Sequence, residues 1–514
     1  MLGKADCSRL ALLGIFGIVA FAGCGSAQKK AVPTGGFAGE AGATDGGTSA
    51  EAGTIGYAGH GAGAASGGGE MGGASSYAGA SDAGASDAGA SDAGASAAAA
   101  GASGADTGAS GAAGSGGEAG APSPLGGHGA IWVATGYDHT CVVLKDGAVR
   151  CWGDNQYSQL GQGPNTVDGR IGDDEPASAL GPVDVGKPAV KVAGGRYNSC
   201  AVLSDGAIRC WGGVALGYSP EQTIGDNDTP ASAGDVKVGG TVTALALGLQ
   251  HSCALLSNQT VRCWGTGISH QLGYGNLGNI AEADTGGDVP IGDDVLQLAA
   301  GSNHTCAVLN GGTVRCWGNN DHGELGYARV GNLSMFETPA SLGDVTVGGP
   351  VKQVTAGGAH TCALLKTGAV RCWGDNQYGQ LGYGNTKNIG DDETPASAGD
   401  VNVGGVVVQL AAGDRHTCAL LVGGTVRCWG WSTLGYPNSG TVGDDETPAS
   451  MGDIDLGDTA TQIAAGGNHT CALVTGGAVR CWGDAYKGAL GYGTPLVGNI
   501  GDNETPASAG NVPF

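Results

Sequence analysis

The chain has 514 residues, of which 105 are glycine and only 14% are charged, a composition that excludes one uniform globular domain. Acidic side chains outnumber basic ones 47 to 23. A surface of that sign repels phosphate, which argues against nucleic acid as a partner.

The first residues have the features of a secretory signal peptide. Lys4 and Arg9 precede the apolar stretch 10–21, which is too short to span a bilayer comfortably, and small residues follow. The sequence Phe-Ala-Gly-Cys at 21–24 resembles a bacterial lipobox, with phenylalanine where leucine is usual. The resemblance implies cleavage after residues 1–23, a lipid on Cys24 and anchoring in the bacterial cell envelope, at the outer membrane or the cell surface. An ordinary signal peptide with a chance cysteine is the alternative.

Residues 24–128 are dominated by Gly, Ala and Ser with scattered acids, including a repeated Ala-Gly-Ala-Ser-Asp motif. Such a segment has almost nothing to bury, so it cannot offset the entropy lost on ordering. We therefore predict a disordered tether. A flexible tether of about 100 residues spans roughly 50–60 Å, which would let the folded part clear a lipid surface.

Residues 129–514 contain seven copies of one hairpin, such as the copy at 360–374. In that copy two short apolar runs flank a small turn that contains glycine. Its cysteines lie ten positions apart, as they do in every copy, and the period is near fifty residues, as in propellers and other stacked arrays. An apolar strand precedes each hairpin, and a segment such as 400–403 alternates like another strand. Four short strands per unit match a propeller blade.

The ends of the repeat region favour a closed ring. The last unit ends at 511–514 without a further apolar strand, whereas the strand 131–135 precedes the first hairpin. We expect this N-terminal strand to complete the C-terminal blade, because that pairing removes the exposed edges of an open array. An open solenoid would instead need polar capping repeats.

The repeated pattern resembles that of the regulator of chromosome condensation family. It is nearly complete at 360–382, where His-Thr-Cys-Ala-Leu-Leu precedes Val-Arg-Cys-Trp-Gly and Gly-Gln-Leu-Gly, and the resemblance covers 129–514. The second unit departs most, with Asn198 in place of histidine and a shortened turn, and the sixth unit is also shortened. The resemblance implies an all-β, seven-bladed β-propeller, and the cysteine pairs look like those of secreted bacterial members. The family's nucleotide-exchange activity is not carried over, because fold does not transmit function.

We predict that the cysteines form disulfides within each unit. Counting back from the turn 366–368 places Cys362 opposite Cys372, within the separation that a disulfide tolerates. Zinc held by the nearby histidine and both cysteines is the weaker alternative, because it would require seven identical sites in an exported chain. The predicted pairs are Cys141–Cys151, Cys200–Cys210, Cys253–Cys263, Cys306–Cys316, Cys362–Cys372, Cys418–Cys428 and Cys471–Cys481.

Other residue types recur with the repeat, which favours structural roles. The histidine that opens each hairpin, replaced by Asn198 in the second unit, is expected to bond to neighbouring backbone, because a general base is normally one residue in one pocket. The arginine before each second cysteine is expected to pair locally and the following tryptophan to pack between blades. A circular basic ring that binds an anion is the alternative for the arginines.

Acidic loops such as 389–393 are the best metal candidates, because clustered oxygen ligands suit calcium. They lack the longer ligand spacing of a known calcium loop, and Asp and Asn are ordinary turn residues. We therefore predict no metal and no cofactor.

The leading hypothesis is a monomeric, non-enzymatic cell-envelope lipoprotein whose propeller loops bind a protein or glycan partner. Binding residues usually lie on loops over a rigid scaffold. One alternative is a protein inhibitor of an envelope hydrolase, since a secreted bacterial propeller with this repeat inhibits β-lactamase. The other is an enzyme with a site in the central channel. The residues predicted to bind the partner differ between units while the strands stay uniform: Tyr157, His322, Tyr378, Trp431 and Tyr486.

Overall fold

The computed structural model describes residues 129–163, 169–331, 336–493 and 498–514. No helix within these ranges has the length and apolar character needed to cross a membrane. The predicted signal peptide, the lipidation site Cys24 and the tether 24–128 lie outside the described residues, so these three expectations stay predictions.

The described chain forms seven antiparallel sheets, each with an inner, a middle and an outer strand. These sheets are the seven blades of the expected propeller, and the first blade has a fourth strand of two residues. Chain order runs from blade to blade without a crossover. The strands are β1 (Ala130–Thr135), β2 (His139–Leu144), β3 (Val149–Asp154) and β4 (Arg170–Ile171); β5 (Ala189–Gly194), β6 (Asn198–Leu203) and β7 (Ile208–Gly212); β8 (Val242–Leu247), β9 (His251–Leu256) and β10 (Val261–Gly265); β11 (Val295–Ala300), β12 (His304–Leu309) and β13 (Val314–Gly318); β14 (Val351–Ala356), β15 (His360–Leu365) and β16 (Val370–Gly374); β17 (Val407–Ala412), β18 (His416–Leu421) and β19 (Val426–Gly430); β20 (Ala460–Ala465), β21 (His469–Val474) and β22 (Val479–Gly483).

The pairing within a blade defines two faces of the propeller. In the first blade, the turn 136–138 between the inner and middle strands and the loop that follows the outer strand lie at the same end, because His139 pairs with Gly153. We call this end the front face. The turn 145–148 between the middle and outer strands lies at the opposite end, the back face.

In the blades whose fourth strand the structure describes, that strand is weaker than the repeat pattern predicts. In the fifth blade it is reduced to one bridge, between Gly374 and Ile389. The prediction of a strand at 400–403 is wrong. Val401 donates one backbone hydrogen bond to the Val370 carbonyl, 2.8 Å, but the Val403 amide turns back to the Val401 carbonyl, 2.9 Å, so no ladder continues.

Five helices of four residues follow the acidic loops, and each begins with proline directly after threonine. Proline suits this first position because its missing N–H has no acceptor there, and threonine is a favourable capping residue. In the first of them the Thr229 hydroxyl accepts from the Ser232 amide, 3.3 Å. The helices are α1 (Pro230–Ala233), α2 (Pro339–Leu342), α3 (Pro395–Ala398), α4 (Pro448–Met451) and α5 (Pro506–Ala509), and 3₁₀ turns cover Ala177–Ala179 and Tyr486–Gly488.

Neighbouring blades are joined by buried polar contacts that repeat around the ring. His360 Nε2 lies 2.9 Å from the Thr417 hydroxyl of the next blade. That hydroxyl donates to the Gln380 carbonyl, 3.0 Å, so its oxygen accepts from the Nε2–H of His360. Asn198 bonds Ser252 in the same way, 3.3 Å. A structural role for the histidines fits this arrangement, although the direct partner is a hydroxyl and not the expected backbone group.

The ring closes between the first and seventh blades, but the prediction of a shared strand is wrong. β1 pairs with β2 along its length, and the seventh blade has its own inner strand, β20. Each of the seven hairpins has its own leading strand, so no strand is surplus. The closing interface repeats the contacts of the others: His469 Nε2 lies 2.9 Å from Thr140 Oγ1, and the Gln462 amide bonds the Val133 backbone at 2.9 and 3.1 Å.

Candidate functional site

The side chains that repeat in every blade are occupied by structural contacts. All seven predicted cysteine pairs are disulfides, which leaves no cysteine of the described residues for the zinc alternative. Trp373 is fully buried and donates to the Glu324 carbonyl of the preceding blade, 2.9 Å, as expected for packing between blades. Arg371 binds Asp400 at 2.8 Å, and four other repeat arginines pair with an aspartate in the same way. The anion-binding ring therefore has no support.

The inner strands line a central channel with a volume of about 280 Å³. Its described lining consists of Ala, Val, Leu, Gly, Thr and Gln with Trp132, and no acidic or basic side chain is among them. At the front face the channel narrows at seven glycines that directly follow the inner strands. A Cβ at Gly357 would overlap with the Gly413 carbonyl oxygen and the His360 ring, so only glycine lets the blades approach this closely. The wall offers no acid–base pair for a channel enzyme.

The residue after each of these glycines varies among the blades, and three of these residues interact at the front mouth of the channel. The Arg196 guanidinium lies 4.1 Å from the centre of the Tyr137 ring, within cation–π range. The Tyr137 hydroxyl donates to the Asp414 carboxylate, 3.4 Å. Burial raises the pKa of Asp414 and that of Tyr137, although Arg196 and Arg415 lower both. The sequence analysis missed these three residues; their signal was variation directly after an invariant position of the repeat.

Two blades have a short loop after their outer strand. In most blades a tyrosine hydroxyl accepts a hydrogen bond from the backbone amide of the second cysteine. In the fifth blade this tyrosine lies 11 residues after the cysteine, whereas in the second and sixth blades it lies 8 residues after it. Each short loop therefore lacks three residues. A tyrosine of the preceding blade lies at each of these places, Tyr157 beside Tyr197 and Tyr378 beside Trp431, with ring centres 4.5 and 5.8 Å apart.

Both places hold an arginine as well as aromatic rings. Arg415 lies 5.0 Å from the Tyr378 ring and 5.7 Å from the Trp431 ring, and Arg196 lies 5.3 Å from the Tyr197 ring. Because Tyr137 and Asp414 join them across the channel mouth, the two clusters form one continuous surface on the front face. We call it the aromatic–arginine band, and its members are Tyr137, Tyr157, Arg196, Tyr197, Tyr378, Asp414, Arg415 and Trp431.

Three of the five predicted binding residues belong to this band: Tyr157, Tyr378 and Trp431. The other two lie on the same face outside it. His322 is exposed, and its backbone amide donates to Glu324, 2.8 Å. Tyr486 is 61% exposed beside Lys487, which pairs with Asp138 and Asp154 at 3.2 and 3.1 Å. Their role in binding stays a prediction.

The acidic loops bring carboxylates together without further ligands among the described residues. In 173–175, 391–393 and 444–446, three consecutive side chains place oxygens within 4.8 Å of one another. Burial and the neighbouring carboxyl raise the pKa of Glu175 and of Glu393 to about 7. Ligands from three successive residues differ from a calcium loop, whose ligands are spread over twelve residues. These clusters therefore add nothing to the calcium alternative.

Seven closed blades with one asymmetric front face define a β-propeller scaffold that carries a candidate binding surface. The sequence matches the family model of the RCC1-like domain over residues 100–452 and that of the regulator of chromosome condensation (RCC1) repeat over 460–489. The chain belongs to the RCC1-like domain family.

Curated relatives and solved structures agree with this assignment. The ultraviolet-B receptor UVR8 of Arabidopsis thaliana is 29% identical over 310 residues, which cover 59% of this chain and 67% of UVR8. The probable E3 ubiquitin-protein ligase HERC3 of Homo sapiens is 35% identical over 39% of this chain, but the match covers only 18% of HERC3. Yeast RCC1 (Prp20) bound to Kap60 superposes with a TM-score of 0.57 at 20% identity, over 75% of this chain and 85% of that one. Human WBSCR16 gives 0.54 at 20% identity, over 71% and 93%. At such identities the solved structures show the fold alone.

Proposed function

We propose that this protein is a non-enzymatic lipoprotein of the bacterial cell envelope whose propeller binds a protein partner through the aromatic–arginine band. The observation that carries the proposal is the asymmetry of the band. The scaffold repeats its cysteines, tryptophans and arginines in all blades, whereas the band brings unlike side chains together at one place on the front face. A contact surface specific for one partner requires such a departure from symmetry.

The chemistry of the band suits a protein interface. Tyrosine, tryptophan and arginine are the residue types that contribute most to binding energy at interfaces. Tyr157 and Trp431 are 40% and 41% exposed, so part of each ring is available to a partner. Contacts with Tyr197, Tyr378 and Arg415 hold these rings in place, and a surface that is already ordered loses less entropy on binding.

The negative net charge of the chain favours a basic protein as the partner. The chain has a net charge of −24, which attracts a basic partner over long distances and raises the rate of encounter. Among the relatives of this fold, yeast RCC1 (Prp20) has been solved in complex with Kap60, and Prp20p has been described with its binding properties toward Gsp1p and histones. By analogy, a propeller of this shape supports a role in protein recognition here.

The position of the N-terminal connection is compatible with this role. Gly129 lies at the back face, where its carbonyl accepts from the Lys145 amide, 3.2 Å. An anchor at Cys24 would therefore connect to the face opposite the band, and the front face would be left for the partner.

Site-specific photo-cross-linking tests the proposal. Full-length protein with a photoreactive side chain at position 431 is compared with protein carrying it at position 422, which lies in the back-face turn and is 66% exposed as valine. We expect one basic envelope protein to be captured from position 431 and not from position 422, and Arg415→Ala to reduce that capture. Equal capture from both faces, or capture that Arg415→Ala leaves unchanged, would contradict the proposal. If the captured protein is a hydrolase, its activity with and without the propeller distinguishes inhibition from simple binding.

A further inference from the structure

A second recess of the front face lies between the sixth and seventh blades and has a volume of about 350 Å³. It borders the shortened loop after β19. In the fifth blade, the full-length loop packs Gly379 against the backbone of Gly443 and Asp444 in the next blade. The sixth blade lacks three residues of that loop, and the recess lies beside its Trp431. We call this recess the Trp431 pocket.

Most residues that line the Trp431 pocket have polar side chains. Among the described residues, the side chains of Thr433, Thr441 and Asn468 line it and have no hydrogen-bond partner within the protein. Asn499 and Asp484 each use one side-chain oxygen to accept a backbone amide, at 3.2 and 2.9 Å. The second polar atom of each side chain has no such partner in the described chain. Hydroxyls and amides both donate and accept, so the pocket suits a ligand whose own groups do the same.

Trp431 adds an aromatic surface to this polar lining. Its indole is 41% exposed, and Tyr378 and Arg415 hold it in position at 5.8 and 5.7 Å. A ligand must therefore combine an apolar face with a rim of uncharged donors and acceptors. An apolar chain would leave the lining unsatisfied, and an anion would meet the Asp484 carboxylate and the net charge of −24.

We propose that the Trp431 pocket binds a neutral hexose unit of a glycan. The C–H face of a pyranose ring packs on the indole, and its hydroxyls bond to Thr433, Thr441 and Asn468. The volume falls within the range of about 300–1,000 Å³ that is usual for small-molecule sites. This inference goes beyond the protein-binding proposal, because it concerns a cavity that shares only Trp431 with the aromatic–arginine band and a different class of ligand.

Ligand-observed NMR and tryptophan fluorescence with the full chain test the pocket, with cellotriose, maltotriose and N,N′,N″-triacetylchitotriose as neutral probes. We expect one of the three to saturate the protein with a Kd of about 1 mM or below. Thr441→Val and Asn468→Ala should each weaken that binding about tenfold, because each removes hydrogen-bonding groups from the pocket. The matched control Thr367→Val alters an exposed hydroxyl at the back face and should change Kd less than twofold.

Two results would overturn the inference: no saturable binding of any probe, or equal binding by Thr441→Val and the control. The outcome is separable from that of the protein-binding proposal. Thr441 does not belong to the aromatic–arginine band, so Thr441→Val should leave photo-capture from position 431 unchanged whether or not the sugar binds.

Discussion

The Tyr137 hydroxyl donates to the Asp414 carboxylate over 3.4 Å and so links the first blade to the sixth across the mouth of the channel. The seventh blade lies between them and permits the contact because it has Gly467 at the equivalent position. A Cβ at Gly467 would come within 3.0 Å of the Tyr137 ring. The front face thus owes its asymmetry to a bulky residue in one blade and a missing side chain in the next.

The first prediction concerns the charge of Asp414. Its carboxylate accepts from Tyr137, which stabilises the ionised form, whereas burial raises the pKa. Tyr137→Phe removes the donor and should raise the pKa of Asp414 further, as measured by a carbon-13 NMR titration of the side-chain carboxyl. Tyr486→Phe, on the same face but outside the band, should leave that pKa unchanged. A lower pKa in Tyr137→Phe would show that the hydroxyl does not stabilise the carboxylate.

The second prediction concerns the glycines at the front mouth. Gly357→Ala places a methyl group against the Gly413 carbonyl and the His360 ring, and both belong to closely packed backbone or buried side chains. We expect the free energy of unfolding to fall by about 1–3 kcal/mol, as for other overpacked sites. Gly181→Ala meets open space and should stay within about 0.5 kcal/mol of the parent. Equal urea midpoints for the two variants would contradict the close approach of the blades.

The disulfides and the packing of the tryptophans could be predicted because the residues that form them recur in all seven units of the sequence. The spacing of Cys362 and Cys372, with the turn between them, was enough to place two sulfurs opposite one another. Alternation in the outer strand was likewise enough to direct Trp373 toward the neighbouring blade.

Features that occur once could not be predicted in this way. Tyr137 and Asp414 are 277 residues apart, and their contact depends on the closure of the ring and on Gly467 between them. The sequence pattern also led to the wrong strand pairing at the closure. The strand 131–135 is the leading strand of the first hairpin, as in every other blade, and is not a surplus strand for the last one. The alternating run at 400–403 recurs in other blades and was still misread, because the local hydrogen bond from the Val403 amide to the Val401 carbonyl is not visible in the pattern.

The third prediction concerns the disulfides. Each one closes a loop of about ten residues, and a cross-link of that size contributes about 2–3 kcal/mol by restricting the unfolded chain. Replacing both Cys306 and Cys316 by alanine should lower the free energy of unfolding by about that amount in urea. The control Ser302→Ala, in the turn of the same blade, should stay within about 0.5 kcal/mol. A double variant as stable as the control would show that the cross-link contributes nothing.

The fourth prediction concerns acid. Burial lowers the pKa of His304 to about 4, from an ordinary value of 6.5, and the other five histidines of the inter-blade contacts are lowered to about 3 or 4. The unfolded chain therefore takes up protons below pH 6.5 while the folded chain does not. The histidine contribution to stability should be constant above that pH and fall as the pH drops toward 4, by up to about 1.4 kcal/mol per pH unit for each histidine. The raised pKa values of Glu175 and Glu393 act in the opposite direction, but these side chains are only partly buried in surface loops and solvent partly screens their effect.

His304→Asn isolates the contribution of one histidine, because asparagine already occupies this position in the second blade. Asn198 there still bonds the next blade, at 3.3 Å from Ser252. The variant should lose less stability between pH 6.5 and pH 4 than the parent, and its stability at pH 7 should change by only about 1 kcal/mol. His322→Asn replaces an exposed histidine and should follow the curve of the parent. If the two variants had the same dependence on pH in urea unfolding, the acid sensitivity would have to come from groups other than the buried histidines.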